Sequence, residues 1–227
     1  IVENKYDYFL LKKNYNLIDN ELNLINGSGI NLNKLKYKKE KKNTKIVLFP
    51  ARVIKEKGIE EFIYAAKLLK KKYPDWKFIV AGAIDYDKNS NYSINKLKNL
   101  NYKNQVKFLG YVKNMNSLYQ KTSIVCLPSY REGFSRTLQE AAAFGIPIVT
   151  SDAIGCRDAI IPGKTGLLCK PRNYKSLQSK LENLILNKNK RLKFGLNGRK
   201  LAEKEFNLKK VLNTNISIYE KLIRNEK

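Results

Sequence analysis

Glu132 and Glu140 stand eight residues apart in the stretch Arg131-Glu132-Gly133-Phe134-Ser135-Arg136-Thr137-Leu138-Gln139-Glu140. A carboxylate accepts two hydrogen bonds at once, so each could hold the vicinal hydroxyls of a sugar. If the span were all helix, Glu140 would lie roughly 12 Å beyond Glu132, and less if it begins as a loop. The backbone N–H groups from Gly133 to Leu138 would be the unpaired donors of a helix start, where a phosphate is favourably held. A sugar on either side of a phosphate is the outline of a nucleotide-sugar. Two isolated glutamates on an amphipathic helix would more simply be solvated. The glycine after the first, and the small run Ala141-Ala142-Ala143, weigh against that simpler account.

The elements that must position these residues are legible on both sides. Ile124 to Leu127, closed by Pro128-Ser129, reads as a buried strand ending in a turn, and Ile146 to Thr150 reads as the next strand. Strand, loop, helix and strand make a βαβ unit, whose ligands sit at the carboxyl ends of the strands. Upstream, Ile46 to Pro50 reads as a strand, Gly58 to Tyr73 as an amphipathic helix, and Trp76 to Ala81 as a strand ending at Gly82. A polar loop over Asp85–Ser93 precedes a short helix marked by Ile94, Leu97 and Leu100. Val106 to Leu109 and Leu167 to Cys169 are further strands, and Tyr174–Asn187, Lys190–Phe206 and Leu208–Ile223 are three closing helices. The order predicts an α/β, Rossmann-like fold, its mainly parallel sheet covered by helices on both faces. Residues 1–30 read as strand (Ile1-Val2), helix (Tyr6 to Tyr15) and strand (Glu21 to Asn26). From Lys34 to Lys45, seven of twelve residues are lysine, which marks a solvated linker.

With its glycine and flanking strands, the Glu132–Glu140 segment resembles the E-x7-E signature of the retaining glycosyltransferases of family 4, which have the GT-B architecture. Other positions match in order. Gly27-Ser28-Gly29-Ile30-Asn31 resembles the interdomain segment G-x-G-[IV]-D, with Asn31 in place of aspartate. Arg52 and Lys57, with Gly58, resemble the R-x4-K-G pair, and Ala81-Gly82 and Phe108-Leu109-Gly110 match strand-end glycines. Gly155-Cys156-Arg157-Asp158 and Gly163-Lys164-Thr165-Gly166-Leu167-Leu168 match the closing G-x-x-E and N-G-L-L-V stretches, with Asp158 and Thr165 as departures.

The resemblance implies a role for each position. Glu132 would contact the transferred sugar and Glu140 the ribose. Arg52 and Lys57 would neutralise the donor diphosphate, and growing negative charge on the leaving phosphate would be stabilised by that pair. Gly82 would let the ligand approach the backbone, although a plain turn glycine is nearly as good an account. Backbone groups at Tyr111 and Val112 would pair with the nucleobase edge. Gly133, Phe134, Ser135, Arg136, Thr137 and Leu138 would line the diphosphate. No cofactor and no metal are expected, the nucleotide-sugar being a substrate.

The resemblance also implies that residues 1–30 end an N-terminal acceptor domain, 31–45 link, 46–206 form the nucleotide-sugar-binding domain and 207–227 a C-terminal helix. This would make the chain the C-terminal half of a GT-B fold, cut from a longer protein, since it begins at Ile1. The acceptor, a bacterial surface-glycan or lipid-linked saccharide, would be bound mainly by the missing N-terminal domain. Alone, the piece would be incomplete for catalysis. Arg131-Glu132-Gly133 and Gly155-Cys156-Arg157 are similar to members that extend lipid-linked saccharides.

Composition bounds the alternatives. At 227 residues with 43% hydrophobic content, the chain can bury a sizeable core and is not disordered throughout. No apolar run approaches a bilayer span and the scattered cysteines fit a reducing compartment, so a cytoplasmic protein is expected. Its lysines would be either simply solvated or in peripheral contact with anionic lipid at the cytoplasmic face of the inner membrane. Three scattered cysteines and no histidine leave no zinc pattern and remove the usual general base. A net charge of +25 invites a nucleic-acid reading, but the cations are mainly lysine without interleaved stacking aromatics, so no nucleic-acid partner is expected. Two rivals stay open: a catalytically silent GT-B module, which would not bind UDP, and a nucleic-acid-binding domain, whose affinity would fall steeply with salt.

Overall fold

The computed structural model describes residues 1–17, 22–35, 37, 44–84, 94–101 and 105–225. Glu21, the loop expected over Asp85–Ser93 and most of the basic linker (36 and 38–43) lie outside the described residues.

Apolar runs become the strands β1 (Ile46–Phe49), β2 (Lys77–Val80), β3 (Val106–Phe108), β4 (Ile124–Leu127), β5 (Ile148–Ser151) and β6 (Gly166–Cys169). Every residue of β1, β4 and β5 is buried, as continuous apolar runs between two helical layers must be. The sheet is wholly parallel in the order β3-β2-β1-β4-β5-β6, with Val47 opposite Phe78 on one side and Ile124 on the other. The chain winds outward from β1 to β3, then returns to β4 on the opposite flank. That reversal makes the carboxyl ends of β1 and β4 a topological switch point, where such sheets open a crevice.

The helices are α1 (Lys5–Tyr15), α2 (Ile59–Lys72), α3 (Ile94–Leu100), α4 (Met115–Lys121), α5 (Arg136–Ala143), α6 (Tyr174–Leu186), α7 (Lys188–Glu205) and α8 (Leu208–Asn225). Helix α2 buries Ile59, Phe62, Ile63, Ala66 and Leu69 on one face, with Glu60 and Glu61 in its first turn and Lys70 to Lys72 in its last. It packs on α6, and α5 packs on α7. Because the crossovers after β1 and β4 run in opposite directions, their right-handedness sends α2 and α5 to opposite faces. Helix α4 was not predicted; its seven residues, behind the Asn114 cap and opening Met115-Asn116-Ser117, show too little periodicity to read.

Helix α1 begins at an Asn4 cap and ends where Asn16 turns left-handed. The strands expected around it reduce to a single parallel bridge, Val2 to Leu24, a pair too short to extend without further strands beside it. Ile30 runs beside the start of α8, its N–H donating to the Phe206 carbonyl and its carbonyl accepting from Leu208 N–H. Ile25, Val211 and Ile218 form a small second cluster there. Among the described residues, no helix is long and apolar enough to cross a membrane.

Candidate active site

The loop after β1 and the loop after β4 meet at the switch point. Gly58 adopts φ +75°, and a Cβ there would lie 2.3 Å from the Pro128 carbonyl oxygen. Only glycine allows both the left-handed turn and that approach. The contact, with Tyr130 N–H donating to the Glu56 carbonyl at 2.8 Å, seats the turn Lys55–Lys57 against the loop after β4. Lys57 Nζ then reaches both carboxylate oxygens of Glu132 at 2.7 Å. The side chains are 22% and 12% exposed, so the pair is shielded but not sealed.

Gly155 supports Glu132 from beneath. A Cβ there would lie 2.2 Å from the Glu132 carbonyl, and Glu132 N–H donates to the Ile154 carbonyl at 3.0 Å. The adjoining Cys156 thiol is pushed up to about 12, by burial first and by the Glu132 carboxylate second. It is a neutral thiol at neutral pH and no nucleophile.

Helix α5 begins only at Arg136, so Glu132 to Ser135 form a loop and Glu140 lies in the second turn. Ser135 is the N-cap, and its side chain makes no capping bond. The N–H of Leu138 is already used within the first turn, on the Ser135 carbonyl at 3.1 Å. The N–H groups of Phe134, Ser135, Arg136 and Thr137 have no acceptor among the described residues. These are the donors a helix start offers to an anion. The side chains of Phe134, Ser135 and Leu138 are buried, so those residues face a ligand only through the backbone. Thr137 Oγ1 donates to the Pro50 carbonyl at 3.1 Å and ties α5 to the end of β1. Arg136 is exposed and bonds Glu140 Oε1 through Nε at 3.1 Å; Tyr119 donates its hydroxyl to Glu140 Oε2 at 3.2 Å. Burial, then the Glu140 carboxylate, hold the Tyr119 hydroxyl well above its ordinary pKa, so it remains a donor.

The remaining expected residues sort by position. Arg52 is exposed at the end of β1, on the same edge as Lys57. Gly82 also has a packing reason to be glycine: a Cβ there would lie 1.8 Å from the Ala51 carbonyl oxygen. Tyr111 and Val112 follow β3, the outermost strand on that side; Tyr111 is 80% exposed and Val112 packs partly against the core. A cleft of about 800 Å³ opens beside Glu132, lined by Lys55, Glu56, Tyr130, Arg131, Glu132, Gly133 and Arg172. Arg172 was not anticipated. It follows the end of β6 at φ +55° and lies 4.7 Å over the Tyr130 ring. Among the described residues, no three His, Cys, Asp or Glu side chains gather as a metal site would require.

The family profile of the glycosyl transferases group 1 matches residues 32–201. The chain belongs to that family, and its fold is that of GT-B glycosyltransferases. The capsular polysaccharide biosynthesis glycosyltransferase CapM of Staphylococcus aureus is 29% identical over 171 residues, 75% of this chain and 44% of CapM. The N,N'-diacetylbacillosaminyl-diphospho-undecaprenol alpha-1,3-N-acetylgalactosaminyltransferase of Campylobacter jejuni is 32% identical over 226 residues, 94% of this chain and 58% of that enzyme. The chain thus spans about half the length of the curated relatives it matches. The crystal structure of the C-terminal domain of LpcC, a glycosyl transferase group 1 protein of Francisella tularensis, is 26% identical, with a TM-score of 0.69 over 79% of this chain and 100% of that domain. HepE of Anabaena, solved with UDP and glucose, shares 21% identity and a TM-score of 0.81 over 98% of this chain and 62% of its own, a likeness of fold.

Proposed function

We propose that this chain is the C-terminal, donor-binding part of a retaining glycosyltransferase of family 4. Its donor is a UDP-linked sugar, and its acceptor a bacterial surface-glycan or lipid-linked saccharide. The observation that carries the reading is the Lys57–Glu132 pair at the switch point, beside the unpaired N–H groups that open α5. A cation, a carboxylate and a row of backbone donors are what a sugar diphosphate needs on one strand edge. The names of CapM and the Campylobacter transferase, and the UDP and glucose in HepE, support the substrate class. The full match to the LpcC domain supports the C-terminal placement.

In this reading, Arg52, Lys57 and the start of α5 hold the diphosphate without a metal. As the bond from the sugar to the diphosphate breaks, charge grows on the leaving oxygen, and fixed cations and N–H dipoles stabilise it with little reorganisation. Glu132 accepts hydrogen bonds from the sugar hydroxyls, and Glu140 from the ribose diol. The nucleobase lies toward Tyr111 and Val112, and an N-terminal domain binds the acceptor. Transfer takes place in the cytoplasm or at the cytoplasmic face of the membrane. Calorimetric titration with UDP in EDTA tests the reading. Saturable binding that EDTA leaves unchanged is the expected result; no heat at millimolar UDP rejects it.

A further inference from the structure

Both neighbours of Glu132 are held by the first turn of α1, more than a hundred residues away in the chain. Asn4 is 1% exposed. Its Oδ1 accepts from Asp7 N–H at 2.8 Å and caps the helix, and its Nδ2 donates to Asp7 Oδ2 at 2.7 Å and to the Gly133 carbonyl at 3.1 Å. On the other side of Glu132, Arg131 Nη2 meets Asp7 Oδ1 at 2.7 Å, with the guanidinium 6.0 Å from the Tyr6 ring centroid. Glu3 closes the contact: one of its carboxylate oxygens lies 2.9 Å from where a Cβ on Gly133 would stand. A side chain at position 133 would meet only that carboxylate, the exposed end of a flexible side chain that can turn aside.

The two anchors differ in strength. The Arg131–Asp7 pair is partly open to water, so its contribution is small. The Asn4 amide is enclosed, and a buried amide that loses its partner is costly. Asn4 also serves two structures with one side chain, since the atom that caps α1 and the atom that grips the loop are opposite ends of the same rigid amide. The cap fixes the amide, and the amide fixes the Gly133 carbonyl next to Glu132.

We propose that Asn4 is a positioning residue for Glu132: it sets the orientation of the loop that presents the carboxylate to the donor sugar, without touching the donor itself. This rests on the reading that Glu132 meets the sugar. A loop held at one residue on each side of a carboxylate keeps that group within the narrow tolerance that hydrogen bonding to a sugar requires.

The test compares UDP with the most tightly bound member of a panel of UDP-sugars, by calorimetry on the 227-residue chain. Asn4→Ser keeps a capping oxygen but is too short to reach Gly133. Asn4→Asp keeps the capping oxygen and turns its other oxygen against both the Gly133 carbonyl and Asp7 Oδ2, so it repels the loop and loosens the Asp7 anchor together. Each variant should hold UDP within about twofold of the parent, while the UDP-sugar-to-UDP affinity ratio falls about fivefold. Glu132→Gln should lower that ratio at least as far, and adding Asn4→Ser to it should lower it no further, because both changes remove one interaction. If Glu132→Gln lowers the ratio and both Asn4 variants leave it unchanged, the positioning role is overturned while the Glu132 assignment stands. If Glu132→Gln leaves the ratio unchanged, both are overturned. Asn4 variants that melt with the parent yet weaken UDP and UDP-sugar equally also overturn it, since that is loss of the site at large.

Discussion

Lys57 Nζ lies 2.7 Å from both oxygens of Glu132, so the cation proposed for the diphosphate and the carboxylate proposed for the sugar neutralise each other. The two are 75 residues apart and come from opposite sides of the switch point. A partly enclosed pair of this kind returns little net stability, because desolvating both charges offsets most of their attraction. Under the proposed roles, its consequence would be an exchange. A diphosphate that takes Lys57 leaves Glu132 without its cation and with its lone pairs available to sugar hydroxyls.

The exchange predicts opposite behaviour for the two partners. Glu132→Gln removes the competitor for Lys57, so UDP should bind as tightly as in the parent or somewhat more tightly. Turnover of the full-length enzyme should fall, because bonds to the sugar matter most when its ring is distorted and positively charged. Lys57→Ala should weaken UDP by about 1.5–3 kcal/mol, as for a lost charge-assisted bond. Titrating both variants with UDP decides the matter: loss of UDP binding in a folded Glu132→Gln protein excludes the exchange.

Gly58 is what lets Lys57 reach across. An alanine there must hold a left-handed conformation and also meet the Pro128 carbonyl oxygen at 2.3 Å. Gly163 has almost the same φ, +74°, with nothing within 4 Å of its virtual Cβ. Gly163→Ala should therefore cost about 1–2 kcal/mol, the conformational penalty alone. Gly58→Ala should cost measurably more in urea unfolding and should weaken UDP binding as well. Equal losses from the two substitutions would show that the Pro128 contact yields easily.

The contrast between strands and contacts explains what could be read in advance. All six strands were placed within two residues of their observed bounds. Strands β1, β4 and β5, buried throughout, are written as nearly unbroken apolar runs, while β2 and β3 carry an exposed lysine each and were read from the apolar residues around it. Helix α4 left no such trace, although it supplies Tyr119, one of the two groups that hold Glu140. Glu132 and Glu140 stood out by their spacing, and Arg52 and Lys57 only through the family resemblance; the bond between Lys57 and Glu132 was not legible, since periodicity says nothing about partners far apart in the chain. Asn4 and Asp7 were invisible for the same reason. Gly82 marks the opposite limit: its place in the motif was legible, while its packing against Ala51 required coordinates.

A stability prediction follows from the join between α2 and α6. Glu182 Oε1 accepts from Lys72 Nζ and from the Tyr73 hydroxyl, each at 2.7 Å. The bond from Lys72 first, and that from Tyr73 second, hold the Glu182 carboxyl below its ordinary 4.5. A carboxyl depressed on folding contributes stability that is present above its unfolded pKa and lost as pH falls through the folded one. Glu182→Gln should therefore lower Tm at pH 7, and the gap to the parent should narrow as pH falls below the ordinary carboxylate range. A Tm difference that persists unchanged in acid would locate the effect in packing.

Glu140 is fixed from two directions, by Arg136 Nε on one oxygen and the Tyr119 hydroxyl on the other. Both partners are donors, so they hold the carboxylate in place while leaving acceptor capacity for a ribose diol. Glu140→Ala should weaken UDP and UDP-sugar alike, by about 1–3 kcal/mol. It should also abolish the preference for UDP over its 2′-deoxy analogue, which the parent and the variant should then bind equally. Tyr119→Phe should fall between parent and variant, because Glu140 remains charged but loses one of its two anchors. The contrast with Glu132 is the sharp part: one carboxylate should affect the nucleotide whatever sugar it carries, the other only the sugar. A Glu140→Ala protein that still prefers the ribose form would place the diol elsewhere and remove Glu140 from the site.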